Sequence, residues 1–302
     1  METGILLESG TNELEILEFK VGNNYYGINV AKVKEILPYT KPTPIPNSHE
    51  CIEGIFMPRD LIISVIDLAK NLRLSNSDNL NSDMYIVTNF NKIHTAFHVH
   101  SVVGIHRVSW ADIITPDDTI SSAGSGVATG IIKLEDRLII ILDFEKIVSE
   151  ISPETGLKVS DIDKLGARTR NNIPILIAED SPLLSKLITE CLVKAGYTNV
   201  TVKQNGQEAW DTIKEYHKKG SLEGEIELVI TDIEMPQMDG HRLTKLIKDE
   251  PDLRHIPVVI FSSLVNDEMK RKGELLGADA QLSKPEIGQL VRAVDELVKL
   301  SN

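Results

Sequence analysis

Glu179 and Asp180 end the apolar run IPILIA, and Asp232 ends LVIT within the stretch LVITDIEMPQMDG, residues 228 to 240. Ser262 falls at the close of IPVVIFSS, and Lys284, with Pro285 after it, closes DAQLSK. Two anions 4 Å apart repel by about 4 kcal/mol at an effective dielectric of about 20, so acids that converge at strand ends call for a cation. All-oxygen ligation with room for water suits Mg²⁺ best. A hydroxyl, an ammonium and a hard cation around one carboxylate are what a transferred phosphoryl group needs, because its charge lies on three peripheral oxygens. An aspartate is already ionised at neutral pH and attacks without a general base, which makes Asp232 the candidate acceptor. Singly, each residue has a plainer explanation, since acids cap helices after strand-to-helix turns. The complementary set at four strand ends is what points to chemistry.

The elements that would hold these residues alternate between strand and helix. After IPILIAED (173–180), SPLLSKLITECLVKAG places Leu184, Leu187, Ile188, Cys191, Leu192 and Ala195 on one helical face. Ser181 can cap this helix, Pro182 suits its first turn and Gly196 ends it. NVTVK, a helix near 206–218, IELVITD, a helix near 240–248, IPVVIFSS, a helix near 266–276, DAQLSK and a last helix near 286–300 complete five strands and five helices. Strict alternation implies an α/β doubly wound parallel sheet covered on both faces, with functional groups at the carboxyl ends of its strands. The first and third strands of such a sheet are neighbours, which brings Glu179 and Asp180 to Asp232.

The first half is rich in short β segments separated by turn residues, among them EILEFKVG, NYYGINV, DLIISVIDL and RLIIILDF, as in a closed or sandwiched antiparallel β domain. It contains an internal echo. GIFMPRDLIISVIDLAKNL from Gly54 and GIIKLEDRLIIILDFEKIV from Gly130 align without a gap, with Asp60/Asp136, Asp67/Asp143 and Lys70/Lys146 identical. The echo predicts two similar half-units, each a small sheet. The polar stretch from 151 to 172 is the expected linker, giving domains at 13–150 and 173–302. A chain of 302 residues suits two domains. The formal charge of −13 excludes nucleic-acid binding through a general field and favours protein partners or cations. No apolar run is long enough for membrane insertion, and the acidic start lacks a signal-peptide pattern, so a cytoplasmic location is expected. Cys51 and Cys191 match no disulfide or zinc spacing.

The array Glu179-Asp180, Asp232 in DIEMPQMDG, Ser262 and Lys284-Pro285 resembles the receiver domains of two-component response regulators. The resemblance implies strand order 2-1-3-4-5 and phosphorylation of Asp232 from a kinase histidine. It also implies Mg²⁺ ligation by Glu179, Asp180, Asp232 and the backbone carbonyl of Glu234, phosphoryl contacts from Ser262 and Lys284, and a cis bond before Pro285. Glu179 and Ser262 replace a commoner Asp and Thr, and Gln281 stands where the family usually has an aromatic ring. The segments FKVGNNYYGINVAKVKEI, PTPIPN and GIFMPRDLIISVIDL resemble a CheW-type coupling domain, which implies two linked five-stranded β barrels. The order of the two domains resembles coupling proteins of the CheV type. By that resemblance the first half bridges methyl-accepting chemoreceptors and the histidine kinase CheA, with Arg59 and Glu35 as partner-contact candidates. Next to Arg59 this chain has Asp60 where the family usually has Gly.

The expected function is a non-enzymatic chemotaxis adaptor modulated by phosphorylation of Asp232. Alternatives are a phosphate sink for the kinase and an Mg²⁺-dependent aspartyl-phosphate phosphohydrolase. The latter would want a second Asp two residues after the nucleophile, where this chain has Glu234. A DNA-binding regulator lacks a helix-turn-helix pattern. His94, His98 and His100 share one strand face, a metal set without a carboxylate or thiol nearby in sequence. GSGVATG has the wrong glycine spacing for a nucleotide loop and is expected to be a loop before the strand at 130.

Overall fold

A computed structural model describes residues 12–90, 93–114, 127–152, 169–220, 222, 224–264, 267–284 and 286–300. Most of the expected linker, the glycines of GSGVATG before Val127, and Pro285 with its expected cis bond lie outside these residues. The chain divides into two compact units, one of residues 14–155 and one built on 156–302.

Among the described residues the first unit holds ten strands: β1 (Glu13–Val21), β2 (Asn24–Asn29), β3 (Val33–Pro38), β4 (Ile52–Phe56), β5 (Ile63–Asp67), β6 (Met84–Phe90), β7 (Ile93–Val99), β8 (Ser101–Ser109), β9 (Ala128–Lys133) and β10 (Leu138–Leu142). Two short helices, α1 (Leu68–Asn71) and α2 (Phe144–Ile151), follow β5 and β10. The strands form two five-stranded sheets, ordered β8-β1-β2-β10-β9 and β3-β6-β7-β5-β4. These are the two small sheets that the internal echo predicts, with the aligned pairs β4–β5 and β9–β10 in one sheet each. The hairpin β1–β2 pairs with strands of the second repeat, and β6–β7 pairs with strands of the first, so the repeats exchange hairpins.

The aligned residues play matching parts. Asp67 and Asp143 each cap the following helix, accepting from the N–H of Lys70 at 3.0 Å and of Lys146 at 2.9 Å. Ile55 and Ile131 each bridge to the segment after an edge strand, at Thr43 and Ile114, and these bridges draw the ends of each sheet together. Gly54 sits where a Cβ would lie 2.3 Å from the Thr43 carbonyl oxygen, so the bridge requires glycine there. One apolar core packs on each sheet, around Ile16, Ile132 and Ile139 in one and Val65, Tyr85 and Ala96 in the other. A third lies between them, where Phe144 packs on Phe19 and Phe97. Both cysteines are free and buried.

The second unit contains β11 (Asn171–Ala178), α3 (Pro182–Lys194), β12 (Tyr197–Lys203), α4 (Gly206–Lys219), β13 (Leu228–Thr231), α5 (Gly240–Asp249), β14 (Val258–Ser262), α6 (Asp267–Leu275), β15 (Ala280–Ser283) and α7 (Ile287–Leu300). Its sheet is parallel with order β12-β11-β13-β14-β15. Alternate residues of the central strands serve opposite faces: Ile175, Ile177 and Ile230 meet α3 and α7, whereas Leu176, Ala178 and Val229 meet α4 and α5. Ser181 caps α3 by accepting from the Leu184 N–H at 3.3 Å, and Pro182 opens the helix. β11 and β13 are adjacent, in register Ala178↔Thr231, so the residues that follow each strand emerge together.

Candidate functional site

Glu179, Asp180 and Asp232 offer ligand oxygens within 4.8 Å of one another. Glu179 and Asp232 are buried and Asp180 is half-buried. Lys284, itself 4% exposed, donates from Nζ to Glu179 Oε2 and to Asp232 Oδ2, both at 2.8 Å. Burial pushes the Glu179 carboxyl up, Lys284 opposes that, and the Asp232 charge adds to it. One ammonium thus holds two buried carboxylates beside a third acid, and the donor set is all oxygen. These residues fit a hard divalent cation, which would supply charge compensation at the carboxylates.

The backbone fixes Asp232. Its Oδ1 accepts from the Ile233 N–H at 2.6 Å, its own N–H donates to the Ala178 carbonyl at 3.0 Å, and Thr231 Oγ1 donates to its carbonyl oxygen at 2.8 Å. Gly240 closes the loop, donating to the Ile233 carbonyl at 2.9 Å. Ser262 ends β14 on the next strand, buried, and its carbonyl accepts from the Lys284 N–H at 3.1 Å. Its Oγ accepts from the Leu264 N–H at 3.3 Å. Glu234 stands half-buried in the loop after Asp232. Gln281 turns toward α6, where its Nε2 donates to the Lys270 carbonyl at 2.7 Å and its amide covers Gly273. A hydrogen-bonded amide therefore occupies the place where the resemblance expects a ring.

Arg59 and Glu35 meet on the first unit, Nη2 to Oε2 at 3.4 Å, with the Arg59 side chain 85% exposed. Arg59 has φ +54, so the turn places the unusual backbone at the arginine itself, one residue before Asp60. An exposed pair of this kind is worth at most about 1 kcal/mol, so stability does not explain it. Met57 and Ile62 beside it are exposed as well. Of the three histidines, His98 is engaged by Glu53 and Asp83, acids that sequence distance hid, and His100 accepts from the Gly22 N–H. Among the described residues the only cluster with metal-site geometry is the one at Asp232.

His241, in the first turn of α5, is buried, and its Nε2 lacks a hydrogen-bond partner. Burial, aided by Lys272, pushes its pKa down to about 3, while burial pushes Asp239 up to about 6. The unfolded histidine takes a proton near pH 6.5 and the folded one does not, so its contribution is present above that pH and falls by about 2 kcal/mol between pH 7 and 5. Asp239 acts the other way, because the folded chain binds its proton first. His241→Leu removes only the first effect. The variant should gain about 2 kcal/mol on wild type on going from pH 7 to 5, read from denaturant midpoints; parallel pH curves would refute the burial of a neutral ring.

Residues 15–152 match the CheW-like domain family and residues 175–295 match the response regulator receiver domain family. The fold and site thus define a coupling domain joined to a receiver in one chain. Chemotaxis protein CheV3 of Helicobacter pylori is 31% identical over 95% of this chain and 95% of its own length, and CheV1 of the same organism is 27% identical over 96% and 95%. CheW of Thermotoga maritima is 28% identical over 50% of this chain and 98% of its own. The chain belongs to the CheV family of chemotaxis proteins, and it is a chemotaxis coupling adaptor that carries a receiver domain. No helix among the described residues is long and apolar enough to cross a membrane.

Proposed function

We propose that the first domain couples methyl-accepting chemoreceptors to the histidine kinase CheA and that phosphorylation of Asp232 modulates this coupling. The observation that carries the proposal is a buried acidic pocket, with Lys284 shared between Glu179 and Asp232, in the same chain as a coupling domain. An Asp232 carboxylate oxygen forms the new O–P bond as the P–N bond of the kinase phosphohistidine breaks, and the nitrogen keeps the electron pair. Lys284 and Ser262 then contact the phosphoryl oxygens. Mg²⁺, held by Glu179, Asp180, Asp232 and the Glu234 carbonyl, would supply the remaining positive charge. The adaptor turns over no substrate, and it acts where receptor and kinase meet, on the cytoplasmic side.

The new charge acts by shifting a conformational balance, and full reversal from 1:99 to 99:1 takes about 5.5 kcal/mol of differential stabilisation. Arg59, exposed between Met57 and Ile62, supplies the partner contact, with Glu35 orienting it. Co-sedimentation of the full chain with receptor-bearing membranes and CheA tests both parts. Phosphorylated protein should differ from unphosphorylated protein in the fraction bound, and Arg59→Ala should weaken binding roughly tenfold, the range of a buried interface arginine. Binding that ignores phosphorylation would favour the phosphate sink, and full binding by Arg59→Ala would remove that residue from the interface.

A further inference from the structure

His98, on β7, has 8% of its side chain exposed, and both its ring nitrogens face carboxylates: Nδ1 lies 3.0 Å from Glu53 Oε2 and Nε2 lies 2.9 Å from Asp83 Oδ2. The second oxygen of each carboxylate is also engaged. Tyr39 donates its hydroxyl to Glu53 Oε1 at 2.8 Å, and Ser77 donates to Asp83 Oδ1 at 2.7 Å. The carboxylates are therefore acceptors throughout, and the ring must donate from both nitrogens, which only an imidazolium does. The Tyr39 ring stacks on it with centroids 4.6 Å apart, a favourable place for a cation. Ser77 meets the aspartate and not the imidazole, so this is no nucleophilic triad.

The surroundings are consistent with a single positive charge here. Against the ring lie Tyr39 after β3, Glu53 on β4, and Asp83 and Tyr85 at the start of β6; further out, Asp67 acts on Tyr39 and His100, Lys70 on Glu53, and Asp78 on His100. His100 completes the group from its own hairpin. His100 accepts the Gly22 N–H on Nδ1 at 2.8 Å, so it is neutral, and burial holds its pKa down. For His98 burial works against the charge, but the hydrogen bonds the ring donates to Glu53 and Asp83 outweigh it and leave the ring above its ordinary value. Burial likewise opposes the Glu53 charge, and the bonds from His98 and Tyr39 leave that carboxyl below its ordinary range.

We propose that the Tyr39–Glu53–His98–Asp83 chain is a pH-operated clamp on the coupling domain, closed while His98 carries two ring protons and opened on one side when it loses one. A neutral ring has a single N–H and must release one carboxylate. Glu53 belongs to the strand that leads into the turn of Met57 and Arg59, and Tyr39 directly follows the strand that bears Glu35. Opening therefore loosens the two elements that present those residues. The His98 contribution to stability is complete below about pH 6.5 and is lost as pH rises through the raised folded value; that of Glu53 is present above about pH 4.5 and is lost as pH falls through its lowered value. The clamp is tightest between these limits. It does not depend on which partner docks, so its failure is distinct from failure of the proposed coupling.

The full chain labelled with ¹⁵N-histidine would show whether both His98 nitrogens are protonated at pH 6 and whether the second proton leaves only above about pH 6.5. Amide exchange in residues 52–60, corrected for the chemical effect of pH, should rise about fivefold between pH 6 and 8.5 in wild type and stay flat in His98→Gln. A ring with one proton throughout, or an equal rise in His98→Gln, would overturn the clamp. Should that variant fail to fold, the wild-type nitrogen titration decides alone.

Discussion

Asp232→Asn is expected to reduce phosphoryl labelling from CheA to background while leaving the receiver folded. An amide has no anionic oxygen to attack phosphorus, and no nearby base can supply one, so the loss is one of chemistry. The fold tolerates the change because the asparagine oxygen can still accept the Ile233 N–H that binds Oδ1 at 2.6 Å. Lys284 would keep Glu179 at 2.8 Å, and one member of a repelling set of acids would be gone. Unfolding midpoints close to wild type, or slightly above it, should accompany the lost label. Equal labelling of both proteins would place the acceptor elsewhere. Steady hydrolysis of a generic phosphoester by wild type, absent from the variant, would instead favour the phosphohydrolase.

The pocket was legible in the sequence because each member sits at the end of an apolar run, and strand ends in a parallel sheet converge by topology. Lys284 could be assigned to the site from its position, but its place between Glu179 and Asp232 depends on side-chain reach across two strands, which spacing does not encode. The coupling domain was less legible. Its repeat predicted two similar units, yet the exchange of hairpins between sheets comes from long-range pairing of β2 with β10 and of β7 with β5. β3 (VKEILP) and β4 (IEGIF) are short, and their apolar and polar residue types do not alternate even though burial along β3 does, so neither stood out as a strand. Glu53 and Asp83 lie 45 and 15 residues from His98, and the histidines therefore looked unaccompanied. Gln281 was visible as a departure, whereas its bond to Lys270 depends on how α6 packs over β15.

Gly240→Ala should be the most disruptive single-methyl change in the receiver, against what helix propensity alone predicts. Gly240 opens α5, where alanine would ordinarily gain up to about 1 kcal/mol. Here a Cβ would lie 1.8 Å from the Asp232 carbonyl oxygen, 2.9 Å from its carbonyl carbon and 2.9 Å from Thr231 Oγ1. Two of those atoms are backbone of the residue that carries the reactive carboxylate, and they are tied down by the Ala178 carbonyl and the Thr231 hydroxyl. Relief requires α5 or the end of β13 to move, so the expected cost is about 3 kcal/mol or more, the range of severe overpacking. The same movement displaces Asp232 from Lys284, so labelling should slow even in the molecules that remain folded. Gly220→Ala supplies the comparison. That glycine, at φ +68 with nothing within 4 Å of where a Cβ would lie, should cost about 1 kcal/mol through backbone strain and leave labelling untouched. A wild-type midpoint and labelling rate in Gly240→Ala would mean that the loop does not close on Asp232 in solution.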